Sequence, residues 1–131
     1  MEIISKPFGN EYKWASYSSV TEFSYGQSGL RIVASGPIDD DSYIEIYFPG
    51  AYAFQYLNEN DCLSYWAGNN FKTNHIIYQI ESGGWRDRVK NHYMHILNTD
   101  QSNQSEWLIA TCEDCIGVIS SSPPMVREFL E

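Results

Sequence analysis

The sequence predicts a mainly β fold, either an antiparallel sandwich or a strongly curved half-barrel of about six to eight short strands with little helix. Two observations support this prediction. Short apolar or alternating segments recur along the chain, and turn-forming Gly, Pro, Asn and Asp residues separate them. The clearest of these segments has the period of two that a half-buried strand shows. An α+β fold is the alternative, because short apolar runs can also belong to helices.

The clearest strand covers residues 43–48, where isoleucine or phenylalanine alternates with tyrosine or glutamate. Pro49-Gly50 interrupts this pattern, and residues 51–57 resume it with an aromatic residue at every second position. Because proline and glycine are typical turn residues, the two segments are predicted to form a hairpin.

Turn residues and apolar runs place the other elements. Residues 26–29 (Gly-Gln-Ser-Gly) predict a turn that leads into a strand. Residues 122–124 (Ser-Pro-Pro) predict the start of a short terminal helix. The basic stretch 85–91 fits either one helical turn or a long hairpin loop. Further strands are expected at residues 29–36, 75–80, 92–97, 106–111 and 115–120.

The length of 131 residues fits a single globular domain that spans residues 1–131. Aromatic residues contribute 15% of the sequence, which excludes a disordered chain. The N-terminal residues do not form a basic start followed by an apolar run, and no apolar stretch approaches the roughly 18 residues of a membrane span. The three cysteines are an odd number in a chain without an export signal, so we expect reduced thiols and a cytoplasmic location.

The dominant chemical feature of the chain is its negative charge. Seventeen Asp and Glu residues oppose eight Lys and Arg residues, which gives a formal net charge of −9. A surface of this sign repels nucleic acid and anionic lipid and attracts basic molecules. The composition therefore predicts a basic protein as partner and argues against a nucleic acid or a membrane.

The cysteines give the first candidate for a metal site. Cys112 and Cys115 have the spacing of half a zinc site, with Cys62 or a histidine as a further ligand. A second cysteine pair is missing. Glu113 and Asp114 also look like the central residues of a tight hairpin, which would place both cysteines on paired strands as small buried side chains. The favoured interpretation is a structural one without metal.

The histidines and a run of aspartates are further candidates. His92 and His95 would share a face on a helix, but they point to opposite faces of the strand that we favour there, and His75 stands apart from them. Residues 39–41 (Asp-Asp-Asp) and Glu45 lack the alternating ligands and central glycine of a calcium loop. The sequence thus predicts no metal and no cofactor.

Residues 82–88 (Ser-Gly-Gly-Trp-Arg-Asp-Arg) could form a mobile binding loop, because glycine permits unusual backbone angles and arginine binds carboxylates and phosphates. No phosphate-binding motif surrounds them. A hairpin loop whose arginines pair with the acidic surface is the favoured interpretation.

Residues 106–120, followed by Pro123-Pro124, resemble the end of a group of small uncharacterised bacterial proteins, in which a hydrophobic strand, a short acidic turn and a second strand precede a proline. The resemblance extends loosely back to residues 81–84. In size and acidity the whole chain also resembles bacterial immunity proteins and antitoxins. Neither resemblance assigns a catalytic residue.

These observations predict a non-catalytic, acidic protein-binding domain, and more specifically an immunity-type inhibitor of a basic toxin such as a nuclease. Carboxylates would occupy the positions at which a nuclease binds phosphates, and complementary charge would raise the association rate. Outward aromatic residues would act as anchors. The predicted partner-binding residues are Asp39, Asp40, Asp41, Tyr43, Glu45, Tyr47, Glu59 and Asp61.

Two other functions are possible on the same sequence. A small-molecule or carbohydrate-binding module would use Trp66, Trp85 and tyrosines on a curved sheet. A metal-dependent hydrolase would use Cys112, Cys115 and the histidines. A monomer and a homodimer are both compatible with the composition.

Overall fold

The computed structural model describes residues 3–37, 41–57, 74–86, 104–112 and 114–130. Within these ranges the chain forms nine strands in two antiparallel sheets that do not close into a barrel. The predicted mainly β fold is confirmed. No helix in the described ranges is long and apolar enough to cross a membrane.

The two sheets have five and four strands. The five-stranded sheet has the order β1-β6-β7-β8-β5, and the four-stranded sheet has the order β2-β3-β4-β9. A short 3-10 helix, Ala15–Tyr17, precedes β2. The strands are β1 (Ile4–Phe8), β2 (Ser19–Gly26), β3 (Gly29–Ser35), β4 (Tyr43–Phe48), β5 (Ala51–Leu57), β6 (Ile77–Ser82), β7 (Ser105–Ala110), β8 (Cys115–Ser120) and β9 (Met125–Phe129).

The sheets pack face to face through one apolar core. Alternate residues of β3 and β4, such as Ile32 and Ile46, are fully buried, and they form one cluster with Trp107, Ile109 and Val118 of β7 and β8. The alternating burial of β4 follows from the period of two in its sequence, because successive side chains of a strand point to opposite faces. The structure is therefore a sandwich.

Strands β7 and β8, in the five-stranded sheet, are buried on both of their faces. All six residues of β8 and the last five of β7 are buried. A second cluster, which includes Tyr78, Leu108 and Cys115, lies on the face opposite the shared core. Strands that are buried on both sides are continuous apolar runs without alternation. This explains the continuous apolar sequences of β7 and β8, and the prediction of both as strands is confirmed.

The predicted hairpin between residues 43–48 and 51–57 is wrong. Both segments are strands, but β4 pairs with β3 and β9 in one sheet, whereas β5 pairs with β8 in the other. Hairpins of two residues require a positive φ at their first central position. Pro49 cannot adopt it, because its ring fixes φ near −65°. The Pro49-Gly50 turn therefore carries the chain from one sheet to the other.

A second crossover lies beside the first. The backbone N–H of Ser121, after β8, donates a 3.0 Å hydrogen bond to the carbonyl oxygen of Gly50. A Cβ atom on Gly50 would crowd the hydroxyl groups of Ser121 and Ser122, which would have to rotate away. The chain then enters β9, and the terminal helix predicted from residues 122–124 is wrong. A residue before proline is restricted to extended backbone, which favours the strand that follows.

Besides β9, two further strands were not predicted from the sequence. In β1, Pro7 interrupts the apolar pattern; proline is tolerated because β1 is an edge strand of its sheet. In β2, all but the first two residues are exposed, so few apolar residues mark the strand. It is joined to β3 by the predicted turn at residues 26–29, where Gly29 has a φ of +119°.

Candidate functional site

The outer face of the four-stranded sheet is the side opposite the core, and it contains part of the predicted partner-binding set. Because residues alternate along each strand, its members follow from the buried positions of β3 and β4. We call this surface the outer face; it comprises Glu22, Arg31, Val33, Ser35, Tyr43, Glu45, Tyr47, Met125, Arg127 and Phe129.

Charged residues of the outer face form a ladder across all four strands. The Arg31 guanidinium donates to Glu45 over 2.8 Å and to Glu22 over 2.7 Å, and the Arg127 guanidinium lies 3.7 Å from the second oxygen of Glu45. Hydrogen bonds to Glu22 and Glu45 raise the pKa of Arg31 above its ordinary value. Two carboxylates and two guanidinium groups balance one another here. Glu45 is consequently not an isolated negative charge.

Aromatic residues lie beside this ladder. The rings of Tyr43 and Phe129 stack with their centroids 4.6 Å apart and an angle of 14° between their planes. The Arg127 guanidinium lies 5.1 Å from the centroid of Phe129. The Tyr47 hydroxyl donates to the carbonyl oxygen of Ser28 in the β2–β3 turn, which fixes that side chain along the sheet. Tyr43 is exposed on the outer face, whereas Phe129 and Tyr47 are half-buried.

A shallow depression of about 240 Å³ lies on the same face. Its floor is formed by β3, and its rim includes Glu22 of β2 and Tyr43 of β4. It is polar and wide open, so it suits contact with a protein side chain better than enclosure of a small molecule. The lining residues are Thr21, Glu22, Arg31, Val33, Ser35 and Tyr43.

The structure brings half of the predicted partner-binding residues to one place. Tyr43, Glu45 and Tyr47 point outward from β4, and Asp41 is exposed two residues before that strand begins. Asp39, Asp40, Glu59 and Asp61 lie outside the residues that the structure describes.

A second candidate surface lies at one side of the sandwich, where edge strand β2 of one sheet faces edge strand β5 of the other. We call it the open seam. Phe54 packs against Phe23 and Tyr25, with ring centroids 5.1 and 5.0 Å apart. Phe23 and Tyr25 nevertheless remain 43% and 54% exposed, and Tyr56 on β5 is 62% exposed. Exposed aromatic clusters of this kind mark binding surfaces in many proteins.

The open seam contains a cleft of about 360 Å³, which we call the seam cleft. Its lining is apolar except for the Tyr56 hydroxyl and the Asp114 carboxylate, and that hydroxyl donates to one oxygen of that carboxylate. The lining residues are Val20, Phe23, Tyr56, Asp114 and Ile116.

The loop that presents Asp114 is held in place by hydrogen bonds. The Asp114 carbonyl oxygen accepts from the backbone N–H and the hydroxyl of Thr111, over 2.9 and 2.8 Å. The Asp114 N–H donates to the Thr111 hydroxyl oxygen over 3.0 Å. In addition, the Cys112 N–H donates to the carbonyl oxygen of Ser18, just before β2. The carboxylate therefore has a fixed position relative to both sides of the cleft.

The same loop corrects the predicted placement of the cysteines. Ala110 pairs with Cys115, so four residues connect β7 to β8 and the two cysteines are not on paired strands. Neither cysteine forms a disulfide; Cys115 is buried in β8, and Cys112 is exposed in the loop. Thr111 hydrogen-bonds to Asp114, so the pair that closes the turn lies one residue earlier in the chain than the predicted pair of Cys112 and Cys115.

The histidines do not add a metal site in the described ranges. His75 is half-buried and its ring lies 6.3 Å from that of Tyr78. No group of three or more His, Cys, Asp or Glu residues within the described part of the chain could hold a metal ion. Cys62, His92 and His95 lie outside that part.

A buried carboxylate, Glu106 on β7, was not identified from the sequence. It is 1% exposed and accepts hydrogen bonds from the backbone N–H groups of Trp85 and Arg86, over 3.1 and 2.9 Å. A Cβ atom on Gly84 would lie 2.5 Å from this carboxylate, which explains one glycine of the predicted loop. The Arg86 guanidinium donates a 2.6 Å hydrogen bond to the carbonyl oxygen of Gln104. These contacts fasten the segment after β6 to β7.

The chain matches no family model, no curated protein and no solved structure.

Proposed function

We propose that this chain is a non-catalytic protein-binding domain with a basic partner, and that it acts as an immunity-type inhibitor of a basic toxin. The observation that carries the proposal is the stacked pair of Tyr43 and Phe129 on the outer face, beside exposed Asp41. The net charge of −9 indicates the sign of the partner.

The outer face has the properties of a preorganised anchor. Aromatic rings contribute much of the binding energy in protein interfaces, and they contribute more when they are already held in place. Tyr43 is held by its stack on Phe129. Met125, which pairs with Tyr47 on the same face, adds an exposed flexible apolar side chain. The charge ladder crosses the four strands beside them on the same face.

Attraction of a basic partner has to come from carboxylates outside the ladder, because Glu22 and Glu45 are already paired with arginines. Nine of the 17 acidic residues but only three of the eight basic residues lie outside the described ranges. Among them, Asp39 and Asp40 immediately precede exposed Asp41 in the sequence and come four and three residues before Tyr43. In this proposal Asp39 and Asp40 raise the association rate by attracting the partner, and the pair of Tyr43 and Phe129 slows dissociation of the bound partner.

The proposal is tested with an identified partner in a binary assay. A protein captured from a lysate of the source organism at low salt is purified, and its binding is measured at two salt concentrations. Charge reversal of residues 39–41 is expected to lower the association rate at low salt, with little effect on dissociation. Tyr43→Ala is expected to raise the dissociation rate at least tenfold.

The control for these variants is Tyr17→Ala, which removes an exposed tyrosine from the 3-10 helix, away from the outer face. The control should bind as the parent does. An unchanged association rate after the charge reversal contradicts steering, and an unchanged dissociation rate in Tyr43→Ala contradicts the anchor. If the captured protein is acidic, the charge argument itself is wrong.

We also propose that the domain acts in the cytoplasm. Cys112 is an exposed free thiol. Exposed free thiols persist in a reducing compartment, where disulfide formation is disfavoured.

A further inference from the structure

The seam cleft combines an apolar lining with a single carboxylate. Its walls are apolar and aromatic, from Val20, Phe23 and Ile116, and one carboxylate, Asp114, stands at its rim beside Tyr56. The volume of about 360 Å³ lies within the range of roughly 300–1,000 Å³ that is typical of binding pockets. An occupant must therefore be apolar along its sides and positively charged at one end.

We propose that the seam cleft binds an arginine side chain of a partner polypeptide. A guanidinium group is flat, stacks on aromatic rings and pairs with carboxylates, and it is less strongly hydrated than an ammonium group. The arginine stem is apolar and can lie along a hydrophobic wall while its charged end remains paired. This site is separate from the outer face and does not depend on the function proposed for that face.

The hydrogen bonds around Asp114 leave room for such a pairing. One carboxylate oxygen accepts from the Tyr56 hydroxyl, and the second oxygen makes no hydrogen bond to any residue that the structure describes. The backbone of Asp114 is held by three hydrogen bonds to Thr111. The second oxygen is thus an acceptor in a fixed position, which makes it suited to a directed charge-assisted hydrogen bond.

The aromatic rings of the open seam supply the stacking surface. Phe23 and Tyr56 both line the cleft and are 43% and 62% exposed. The Phe54 ring contacts the Phe23 ring at 5.1 Å and the Tyr25 ring at 5.0 Å. These rings add little to the shared core, in which Phe54 has only a peripheral place. Their exposure is explained if a cationic side chain covers them.

The probe for this site is N-acetyl-L-arginine amide, titrated against ¹⁵N-labelled protein. We expect saturable shifts confined to residues 20–25, 54–56 and 114–116. The citrulline analogue has the same shape without the charge and should bind at least fivefold more weakly. Guanidinium chloride should also bind more weakly, because it lacks the apolar stem. Equal binding of all three compounds, shifts elsewhere, or no saturation would overturn the proposal.

Two variants test the role of the carboxylate. Asp114→Asn retains the backbone hydrogen bonds and should weaken binding of the arginine probe at least fivefold. Glu81→Gln removes the same charge from β6 and should leave binding unchanged, because β7 and β8 lie between β6 and β5 in the sheet. Equal loss in both variants would show an effect of net charge alone and contradict a specific site. The spectra of the unbound variants report whether each one is folded, and the citrulline comparison needs no variant.

Discussion

The two sides of the sandwich are closed in different ways. At one side, which we call the closed seam, the Tyr12 hydroxyl and the Asn10 side-chain amide donate to the Glu128 carboxylate over 2.9 and 2.5 Å. These bonds join the segment after β1 of the five-stranded sheet to β9 of the four-stranded sheet. At the open seam, ring contacts and the seam cleft lie between β2 and β5, and a backbone hydrogen bond from Cys112 to Ser18 links the loop after β7 to the start of β2.

This difference separates stability from binding. The closed seam buries Tyr12, and the Phe8 ring contacts the buried Trp107 ring at 5.0 Å in an edge-to-face arrangement. The open seam leaves three aromatic rings substantially exposed, where they contribute less to folding. We infer that the closed seam serves the fold, whereas the open seam is available for an interaction.

The largest expected effect concerns the core beside the closed seam. Trp107→Ala should lower the free energy of unfolding by about 3–5 kcal/mol, because Trp107 is 2% exposed and contacts Phe8 and Phe48. Phe23→Ala, at the open seam, should lower it by about 1 kcal/mol or less, because Phe23 is 43% exposed. Urea unfolding of both variants gives the comparison. Equal losses would contradict the distinction between the two seams.

A smaller effect is expected for the hydrogen bond of the closed seam. Tyr12→Phe should lower the free energy of unfolding by about 1 kcal/mol at neutral pH, since it removes the hydroxyl that donates to Glu128. Thermal unfolding measures this loss. Tyr17→Phe removes a hydroxyl from a tyrosine that is 72% exposed and should change the stability by less than about 0.5 kcal/mol.

The same tyrosine predicts a dependence on alkaline pH. Burial and the Glu128 carboxylate raise the pKa of Tyr12 above its ordinary value of 10.0. A raised pKa means that the unfolded chain loses this proton first, so Tyr12 contributes stability below pH 10 that decreases as the pH rises further. Unfolding measured from pH 9 to pH 11 should show a shallower loss in Tyr12→Phe than in the parent. Parallel curves would contradict the raised pKa.

The smallest effect is expected at the charge ladder. Arg127→Gln should change the free energy of unfolding by less than about 0.5 kcal/mol, because the Arg127 side chain is 69% exposed and lies 3.7 Å from Glu45. The difference from the parent should shrink further at high salt. A larger loss, unaffected by salt, would show that the ladder stabilises the sheet more than exposed ion pairs usually do.

The sequence predicted those parts of the fold that local patterns determine. The alternation of residues 43–48 predicted β4, and the apolar runs predicted β7 and β8. Strand partners were not predictable from alternation, as the wrong hairpin at Pro49 shows. Strand β1 was not predicted because it contains Pro7. A proline within a strand is tolerated at a sheet edge, and the sequence does not show which strands are edges.

The seam cleft could not be found from local sequence. Phe23, Tyr56 and Asp114 are far apart along the chain and meet only because β2 and β5 are edges on the same side of the sandwich. The outer face was partly predictable, because Tyr43, Glu45 and Tyr47 share one face of a single strand. The ladder that pairs Glu45 with Arg31 and Arg127 requires the order of three strands, which alternation does not supply.

The most direct test of the difference between the seams measures stability and binding in the same two variants. Tyr12→Phe at the closed seam should lower the free energy of unfolding by about 1 kcal/mol and bind N-acetyl-L-arginine amide as the parent does. Asp114→Asn at the open seam should change the stability by less than about 0.5 kcal/mol and bind the probe at least fivefold more weakly. If Asp114→Asn loses stability while probe binding is unchanged, the open seam serves the fold and the account is contradicted.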